Sequence, residues 1–425
     1  MSKKTLTLSV LATSAAMATG LAHSAAFQLA EQSTSGLGRA YAGEGAAADN
    51  AAVLGRNPAA MTLFHRPALS AGAVYVNPEI DVEGKPTQQQ AAGASQAGLP
   101  TQSNDIADDA VVPFFYYVQP INAQWAAGIG AFTNYGLSTS YQDNHYAGPV
   151  AGKTALTTLN LNPNIAYRMN RHLSLGAGFN AVYADAELIR HKGIASLQPP
   201  PQGFGGNATD EVARLVGDDW GYGWNIGLLL EADEHNRWAL TYRSEIDLTM
   251  AGDYSGINTG GQPTPATLDL TLPAIAELSG FHQVNPEWAL HYGLMWTEWS
   301  SFEELKAISN DPRCTPDCFQ KDEKFKNSWR VSAGVTHLMN DQWILRGGLA
   351  YDQSPVPAAT RSISIPDVDR TWYTLGATFA VNQALSLDAA LAFLHGGQVE
   401  VNETPYQFTS GGDAWLLGLQ MNYQF

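Results

Sequence analysis

The last eleven residues of the chain alternate between large apolar side chains and mostly small or amide-bearing ones. The apolar positions are Trp415, Leu417, Leu419, Met421, Tyr423 and Phe425. Because successive side chains of a β-strand point to opposite faces, this pattern predicts a strand with one apolar face. The closing strand of an outer-membrane barrel has this pattern and turns its apolar face to lipid. A strand of a soluble sandwich alternates in the same way, so the choice depends on the rest of the chain.

Short polar turns containing asparagine recur along the chain, and each is followed by a tryptophan or a leucine. They lie at 122–124, 170–172, 233–236, 285–287, 340–342 and 382–384. Longer stretches rich in Gly, Pro and Asp lie near 78–108, 141–153, 191–218, 252–265, 300–323, 352–368 and 395–412. Short turns at one end and long loops at the other are typical of outer-membrane barrels. Six turns and seven loops join fourteen strands, which predicts an all-β fold: a fourteen-stranded antiparallel transmembrane β-barrel over residues 67–425.

The strand predicted after the turn at 233–236 combines an apolar row with charged positions. We expect its apolar residues to face lipid: Trp238, Leu240, Tyr242, Ile246, Leu248 and Met250. The charged residues between them are then expected to face the lumen as a wall network rather than a ligand site: Arg243, Glu245 and Asp247.

The first 24 residues are predicted to be a secretory signal peptide. Lys3 and Lys4 precede a weakly apolar run over 6–21, and Ala22 and Ser24 are small residues placed for cleavage before Ala25. The segment contains no acidic residue, so its removal changes the formal net charge from −17 to −19. A charge of this sign argues against nucleic acid as a partner. No run of eighteen apolar residues occurs, so a membrane-spanning form of this chain requires a closed barrel.

Residues 25–66 precede the first predicted strand, which begins near Ala68. This segment is rich in Gly and Ala and alternates poorly, and Asn57-Pro58 marks a turn within it. We interpret it as an N-terminal hatch, a compact plug folded into the barrel lumen. The alternative is a disordered tail on the periplasmic side.

The chain has two cysteines, Cys314 and Cys318, in a polar stretch between Pro312 and residues 319–323. In an oxidising compartment this spacing favours a local disulfide in a loop. A metal site would require further ligands nearby, and the sequence offers none, so no metal and no cofactor are predicted.

Several motifs resemble the long-chain fatty acid outer-membrane transporters of the FadL family, in order along essentially the whole predicted mature chain. They are FQL at 27–29, SGLGRAY at 35–41, GEG at 43–45, RNPA at 56–59, TNYGL at 133–137, GFNAVYA at 178–184, ALTYRSE at 239–245, SPVP at 354–357, residues 361–367 and PYQF at 405–408. The resemblance implies a fourteen-stranded barrel closed by an N-terminal hatch, in agreement with the independent turn count.

The resemblance also implies residue roles. Arg190 and Lys321 correspond to the basic pair near the ligand's carboxylate, although Cys314, Cys318 and the acids after Lys321 depart from the family locally. The alternative is that both bases pair with neighbouring acids such as Glu187 and Asp322. The hatch and gating residues implied are Phe27, which would reach into the pocket, and the motif Asn57, Pro58 and Ala59. Asn134, Tyr135 and Gly136 correspond to an inward kink of the third strand that opens the wall sideways. Gly128, Gly130 and Gly136 fit such a bend, and an ordinary bulge explains them nearly as well.

The function implied is passive uptake of long-chain fatty acids across the outer membrane of a Gram-negative bacterium, by hatch-gated diffusion with lateral exit at the third-strand kink. Expected partners are fatty acids or similar hydrophobic ligands, together with outer-membrane lipid and lipopolysaccharide, and the protein is expected to be a monomer. One alternative is uptake of other hydrophobic compounds such as monoaromatic hydrocarbons. A general diffusion porin is a second alternative. An outer-membrane enzyme is a third, against which the absence of a Gly-x-Ser-x-Gly motif argues.

Overall fold

The computed structural model describes residues 26–198, 203–314 and 317–425. The predicted signal peptide lies outside these residues. Within them, no helix is both long enough and apolar enough to cross a membrane.

Fourteen antiparallel strands close into one barrel within the described part of the chain. Their bounds are β1 Ala68–Gly84, β2 Ala110–Pro120, β3 Trp125–Phe132 and Gly136–Ser140, β4 Gly152–Arg168, β5 Leu173–His191, β6 Glu211–Glu231, β7 Asn236–Arg243 and Ile246–Gly256, β8 Thr264–Leu272 and Ile275–Gln283, β9 Trp288–Thr297 and Glu304–Ile308, β10 Phe319–Asp322 and Ser328–Leu338, β11 Trp343–Asp352, β12 Arg370–Ala380, β13 Leu385–Gly396 and β14 Tyr406–Gln424. The last strand pairs with the first from Ala68–Gln424 to Gly84–Phe408, which closes the sheet. The predicted fold class and strand number are therefore confirmed.

The short turns owe their shape to asparagine side chains. In five of the six predicted turns an asparagine Oδ1 accepts the backbone N–H groups two and three residues later, at 2.8–3.0 Å; these asparagines are Asn122, Asn170, Asn285, Asn340 and Asn382. This bonding holds the chain in a tight turn without help from other segments. Trp125, Trp288 and Trp343, each directly after such a turn, are exposed on the outside of the barrel.

The strands extend further towards the loop end than the sequence predicts. β1 continues to Gly84, inside the loop predicted near 78–108, and β6 and β14 begin inside the predicted loops 191–218 and 395–412. Each strand was predicted to end with the last of its outward-facing apolar residues. In the structure the ladder continues beyond that row, with polar side chains on the outside.

The predicted orientation of the side chains in the second half of β7 is wrong. Between the pairs Arg243–Asn225 and Ala251–Asp218, β7 advances eight residues while β6 advances seven, so β7 contains one extra residue. A one-residue bulge moves all following side chains to the opposite face. Ile246, Leu248 and Met250 are consequently buried inside the barrel. Arg243 does face inward as predicted, but Glu245 and Asp247 are exposed on the outside.

Residues 26–66 pack against the inner face of the strands as short helices. These are α1 Thr34–Leu37, α2 Glu44–Ala47 and two 3-10 turns, Ala51–Gly55 and Pro58–Leu63. Small residues allow close approach to the wall: a Cβ on Gly38 would lie 2.8 Å from the Cα of Gly376. Ion pairs within the segment shape it, with Arg39 bound to Glu44 at 2.6 Å and to Asp49. We refer to residues 26–66 as the hatch segment.

Candidate functional site

An apolar cavity of about 50 Å³ lies inside the loop end of the barrel, above the bulge in β7. Its apolar lining comes from the inner faces of β3 to β9 and from neighbouring loops: Phe27, Leu137, Leu156, Leu188, Leu215, Met250, Leu268, Leu270, Phe302, Leu305 and Ile365. The bulge contributes Met250 to this lining, because it turns the aliphatic row of β7 inward. Apart from Phe27, sequence reasoning assigned no pocket role to these residues. No local signal marks the bulge, because the apolar alternation on β7 keeps the same parity through it.

Phe27 of the hatch segment fills the base of this apolar cavity. Its ring centre lies 4.6 Å from that of Trp299, 5.2 Å from Phe302 and 6.1 Å from Tyr135, all in edge-to-face arrangements. Only 2% of Phe27 is exposed. Phe27 lines this cavity, so a shift of its ring would change the space available to a ligand.

Arg190 is 3% exposed and lies next to the apolar cavity, one hydrogen bond from the lining residue Thr154. Its guanidinium donates to Thr154 Oγ1 at 3.0 Å, Ser364 Oγ at 2.8 Å and the carbonyl of Lys153 at 2.9 Å. Among the described residues no carboxylate lies within ion-pair distance of Arg190. The predicted alternative partner, Glu187, instead binds Lys153 and Arg214, at 2.6 and 2.8 Å.

A polar cavity of about 640 Å³ adjoins Arg190 on the other side and brings it together with Lys321 and Arg361. Lys321 Nζ lies 3.3 Å from Glu403 and 3.6 Å from Glu323. The alternative partner Asp322 binds Lys324 at 2.5 Å instead. Sequence reasoning assigned no role to Arg361, because loop residues carry no periodic signal that fixes their direction.

Glu323, between the two segments of β10, is almost fully buried. Burial raises the pKa of Glu323 to about 7, with nearby Lys321 opposing the shift and Glu403 adding to it. Because Glu323 lies 3.6 Å from Lys321, which lines the polar cavity, the net charge beside that cavity changes near neutral pH.

Arg190 lines the polar cavity, and its guanidinium is hydrogen-bonded to the wall of the apolar one. Thr154, which accepts one of its hydrogen bonds, also lines the apolar cavity, and Ser364 is followed by Ile365 of the same lining. An amphiphile with one anionic end fits this arrangement: the anion meets Arg190 and the apolar chain extends towards Phe27.

The barrel wall has a gap between β2 and β3. The two strands pair from Pro120–Ala126 to Phe115–Ala131, while residues 110–114 pair only with β1 in the described chain. β3 is interrupted at residues 133–135, and its second segment, Gly136–Ser140, pairs with β4. The N–H of Ser140 donates to the carbonyl of Ile106 at 2.7 Å, which bounds the gap at the loop end.

The tip of the hatch segment lies against this gap as an added strand. The N–H of Leu29 donates to the carbonyl of Asn134 at 2.7 Å, and the N–H of Gly136 donates to the carbonyl of Phe27 at 2.8 Å. Gln28 and Tyr135 are thereby paired in antiparallel fashion. Phe27 and the predicted opening at 134–136 therefore come together in space.

The other predicted site residues lie elsewhere. Asn57 Nδ2 donates to the carbonyl of Gly45 at 2.8 Å and its Oδ1 accepts the N–H of Ala59 at 3.0 Å, so the motif 57–59 shapes the hatch segment away from both cavities. Cys314 and Cys318 form a disulfide in the loop between β9 and β10. Among the described residues no group of His, Cys, Asp or Glu is arranged to hold a metal ion.

Comparisons with known proteins match the chain over its length. The model of the family described as "Outer membrane protein transport protein (OMPP1/FadL/TodX)" matches residues 15–425. A long-chain fatty acid transport protein of Escherichia coli O157:H7 is 44% identical over 458 residues, covering 100% of both chains. Outer membrane protein P1 of Haemophilus influenzae is 38% identical, covering 98% of this chain and 99% of that protein.

Solved structures share the architecture. A crystal structure of a Pseudomonas aeruginosa FadL homologue has a TM-score of 0.83 at 25% identity and covers 94% of this chain and 100% of that chain. The Pseudomonas putida toluene transporter TodX shares the fold, with a TM-score of 0.65 at 17% identity. That match covers 88% of this chain and 94% of the TodX chain. The whole-chain match and the common barrel show that this protein belongs to the OMPP1/FadL/TodX family of outer-membrane transport proteins and lies in the outer membrane of a Gram-negative bacterium.

Proposed function

We propose that the protein takes up long-chain fatty acids. The observation that carries this proposal is the position of Arg190, a buried cation with no ion-pair partner among the described residues, between an apolar cavity and a polar one. The fatty acid transport protein of E. coli, 44% identical over the whole chain, supports the same substrate class.

The two ends of such a ligand have different tasks. Burying about fourteen methylenes at about 0.8 kcal/mol each supplies on the order of 11 kcal/mol before ordering costs. A charge-assisted hydrogen bond to the carboxylate adds about 1.5–3 kcal/mol. The tail therefore supplies most of the affinity, and the head group selects acids and fixes their direction.

The proposed route begins at the outer loops and ends in the bilayer. The ligand enters from the loops at 191–218 and 252–265, its tail displaces Phe27, and its carboxylate binds Arg190 beside Lys321 and Arg361. The tip of the hatch segment then separates from β3, and the tail leaves through the gap between β2 and β3. Movement follows the concentration gradient.

Binding of oleate and of an alkane of similar length to the detergent-solubilised protein tests the proposal. Replacing Arg190 by alanine is expected to weaken oleate binding by about 10- to 100-fold, as loss of a charge-assisted bond predicts, and to leave alkane binding unchanged. The matched control is Arg214→Gln, since Arg214 faces Glu187 on the outer side of the neighbouring strand. Equal binding of both ligands, insensitive to Arg190, would instead favour a hydrocarbon transporter.

A further inference from the structure

Arg243 is a buried cation that, like Arg190, has no ion-pair partner among the described residues, and it lies at the level of the gap in the wall. It ends the first segment of β7, is 8% exposed and points inward. One Nη donates to the carbonyl of Gly55 in the hatch segment at 2.8 Å, and the other donates to Asn180 Oδ1. Its Cζ lies 5.4 Å from the ring centre of Phe132, the last residue of β3 before the interruption.

This charge has no carboxylate partner within ion-pair distance in the described part of the chain. The neighbouring acid, Glu277, binds Arg56 at 3.4 Å and accepts a hydrogen bond from Ser279 at 2.7 Å. Arginine carries five N–H donors, and the structure provides acceptors for two of those of Arg243. Buried charges are usually paired, so a cation left in this state is suited to a transient anionic partner.

A polar track connects Arg243 with the gap. A small cavity of about 20 Å³ is lined by Arg243, Asn134 and Gln32, and Gln32 Oε1 has no hydrogen-bond partner among the described residues. Amide groups continue the track: Asn160 Nδ2 donates both to Asn180 Oδ1, at 2.9 Å, and to Asn134 Oδ1, at 3.0 Å. Asn180, which accepts a hydrogen bond from Arg243, is therefore connected through Asn160 to Asn134 at the interruption of β3.

We propose that Arg243 is a second carboxylate-binding site, which holds the head group of the ligand after it leaves Arg190 and while the tail passes through the gap. This proposal rests on the proposed uptake of fatty acids and its lateral route. If the tail of the fatty acid enters the gap first, the carboxylate must follow it from Arg190 past the apolar cavity. An ionised carboxylate without a partner is costly in such surroundings, and Arg243 supplies the partner at the level of the exit.

Initial uptake rates in intact cells that lack their own transporter test the site, with oleate and oleyl alcohol as paired substrates. Arg243→Gln is expected to slow oleate uptake about 10-fold, the effect of losing one charge-assisted bond, and to leave oleyl alcohol uptake unchanged. Equilibrium oleate binding to the purified variant is expected to stay within about twofold of the native protein, because Arg190 is intact. Arg243→Lys keeps the charge and is expected to restore most of the rate.

Arg237→Gln is the matched control. Arg237 also lies on β7 and donates to a hatch carbonyl, that of Ala47 at 3.1 Å, but at the turn end of the barrel. If Arg243 only anchors the hatch segment, Arg243→Gln will change oleate and alcohol uptake equally, which overturns the proposal. Unchanged oleate uptake overturns it as well. A failure of the proposed function can be told apart from a failure of this inference. If fatty acid uptake is wrong, oleate binding will not depend on Arg190.

Discussion

At the scale of single residues, Phe27 is both part of the apolar cavity and its plug. Its ring contacts Trp299, Phe302 and Tyr135, and edge-to-face pairs contribute about 0.5–1.5 kcal/mol each. On the proposed route a ligand breaks these contacts before its tail is buried, so they lower its net affinity. The residue that closes the cavity thereby also sets how tightly a ligand binds.

Replacing Phe27 by alanine is expected to tighten oleate binding about 10-fold, because the ligand no longer has to displace the ring. Titration of the purified variant by isothermal calorimetry measures the change. Phe64→Ala is the matched control, since Phe64 is a buried phenylalanine at the other end of the hatch segment. Weaker oleate binding in the Phe27 variant would show that the ring helps to hold the ligand.

The second prediction at this scale concerns pH. Since the pKa of Glu323 is raised to about 7, this carboxyl is mostly neutral at pH 6 and mostly ionised at pH 8. Its negative charge beside Lys321 opposes an anionic ligand, so affinity is expected to fall as pH rises through 7. A long-chain alkyl sulfonate is the appropriate probe, because its own charge is constant over this range. Glu323→Gln is expected to remove the dependence, and a dependence that survives this change would assign it to another group.

At the scale of elements, the contact between the hatch tip and β3 is the gate of the proposed route. Gln28 and Tyr135 form a non-hydrogen-bonded antiparallel pair, a geometry that brings Cα atoms to about 4.5 Å and permits a disulfide. The double variant Gln28→Cys, Tyr135→Cys is expected to lose oleate uptake when oxidised and to recover it on reduction. The single variant Tyr135→Cys and the native protein, treated in the same way, control for the loss of the phenol and for Cys314–Cys318. Uptake that continues through the oxidised form would exclude this gate.

The bulge in β7 explains which parts of the molecule the sequence could predict. The turns and the lipid-facing rows follow from local rules, since an asparagine shapes five of the six predicted turns and alternation sets each face. One extra residue in β7 turns Leu248 and Met250 inward, and no periodic pattern reveals on which side of the sheet a row continues after such a break. Arg361, Trp299 and Phe302 come from irregular segments, whose direction depends on contacts distant in sequence. Arg190 and Lys321 were found through family resemblance.

At the scale of the whole molecule, ion pairs hold the hatch segment within the barrel. Arg39 binds Glu44 and Asp49, and Asp49 also binds Arg346 of β11 at 3.2 Å. Removing one member of a buried pair leaves charges without partners and costs about 3–5 kcal/mol. The segment is therefore expected to close the barrel to ions for as long as this group of residues is intact.

Planar-bilayer recordings test this closure. The native protein is expected to show little ion conductance, and Arg39→Ala is expected to show frequent openings because the hatch segment loosens. Arg313→Ala is the control, since its ion pair with Asp311 lies in an exposed loop. Large, steady conductance of the native protein would favour a general diffusion porin.

The central claim is that an acid binds with its carboxylate at Arg190 and its tail in the apolar cavity. The most direct measurement is a crystal structure with a fatty acid brominated at its terminal carbon, located by anomalous scattering. The account predicts carboxylate oxygens about 2.7–3.2 Å from Arg190 and bromine among Leu268, Leu270 and the displaced Phe27. Bromine at Arg190, or bound ligand only on the outer surface of the barrel, would contradict it.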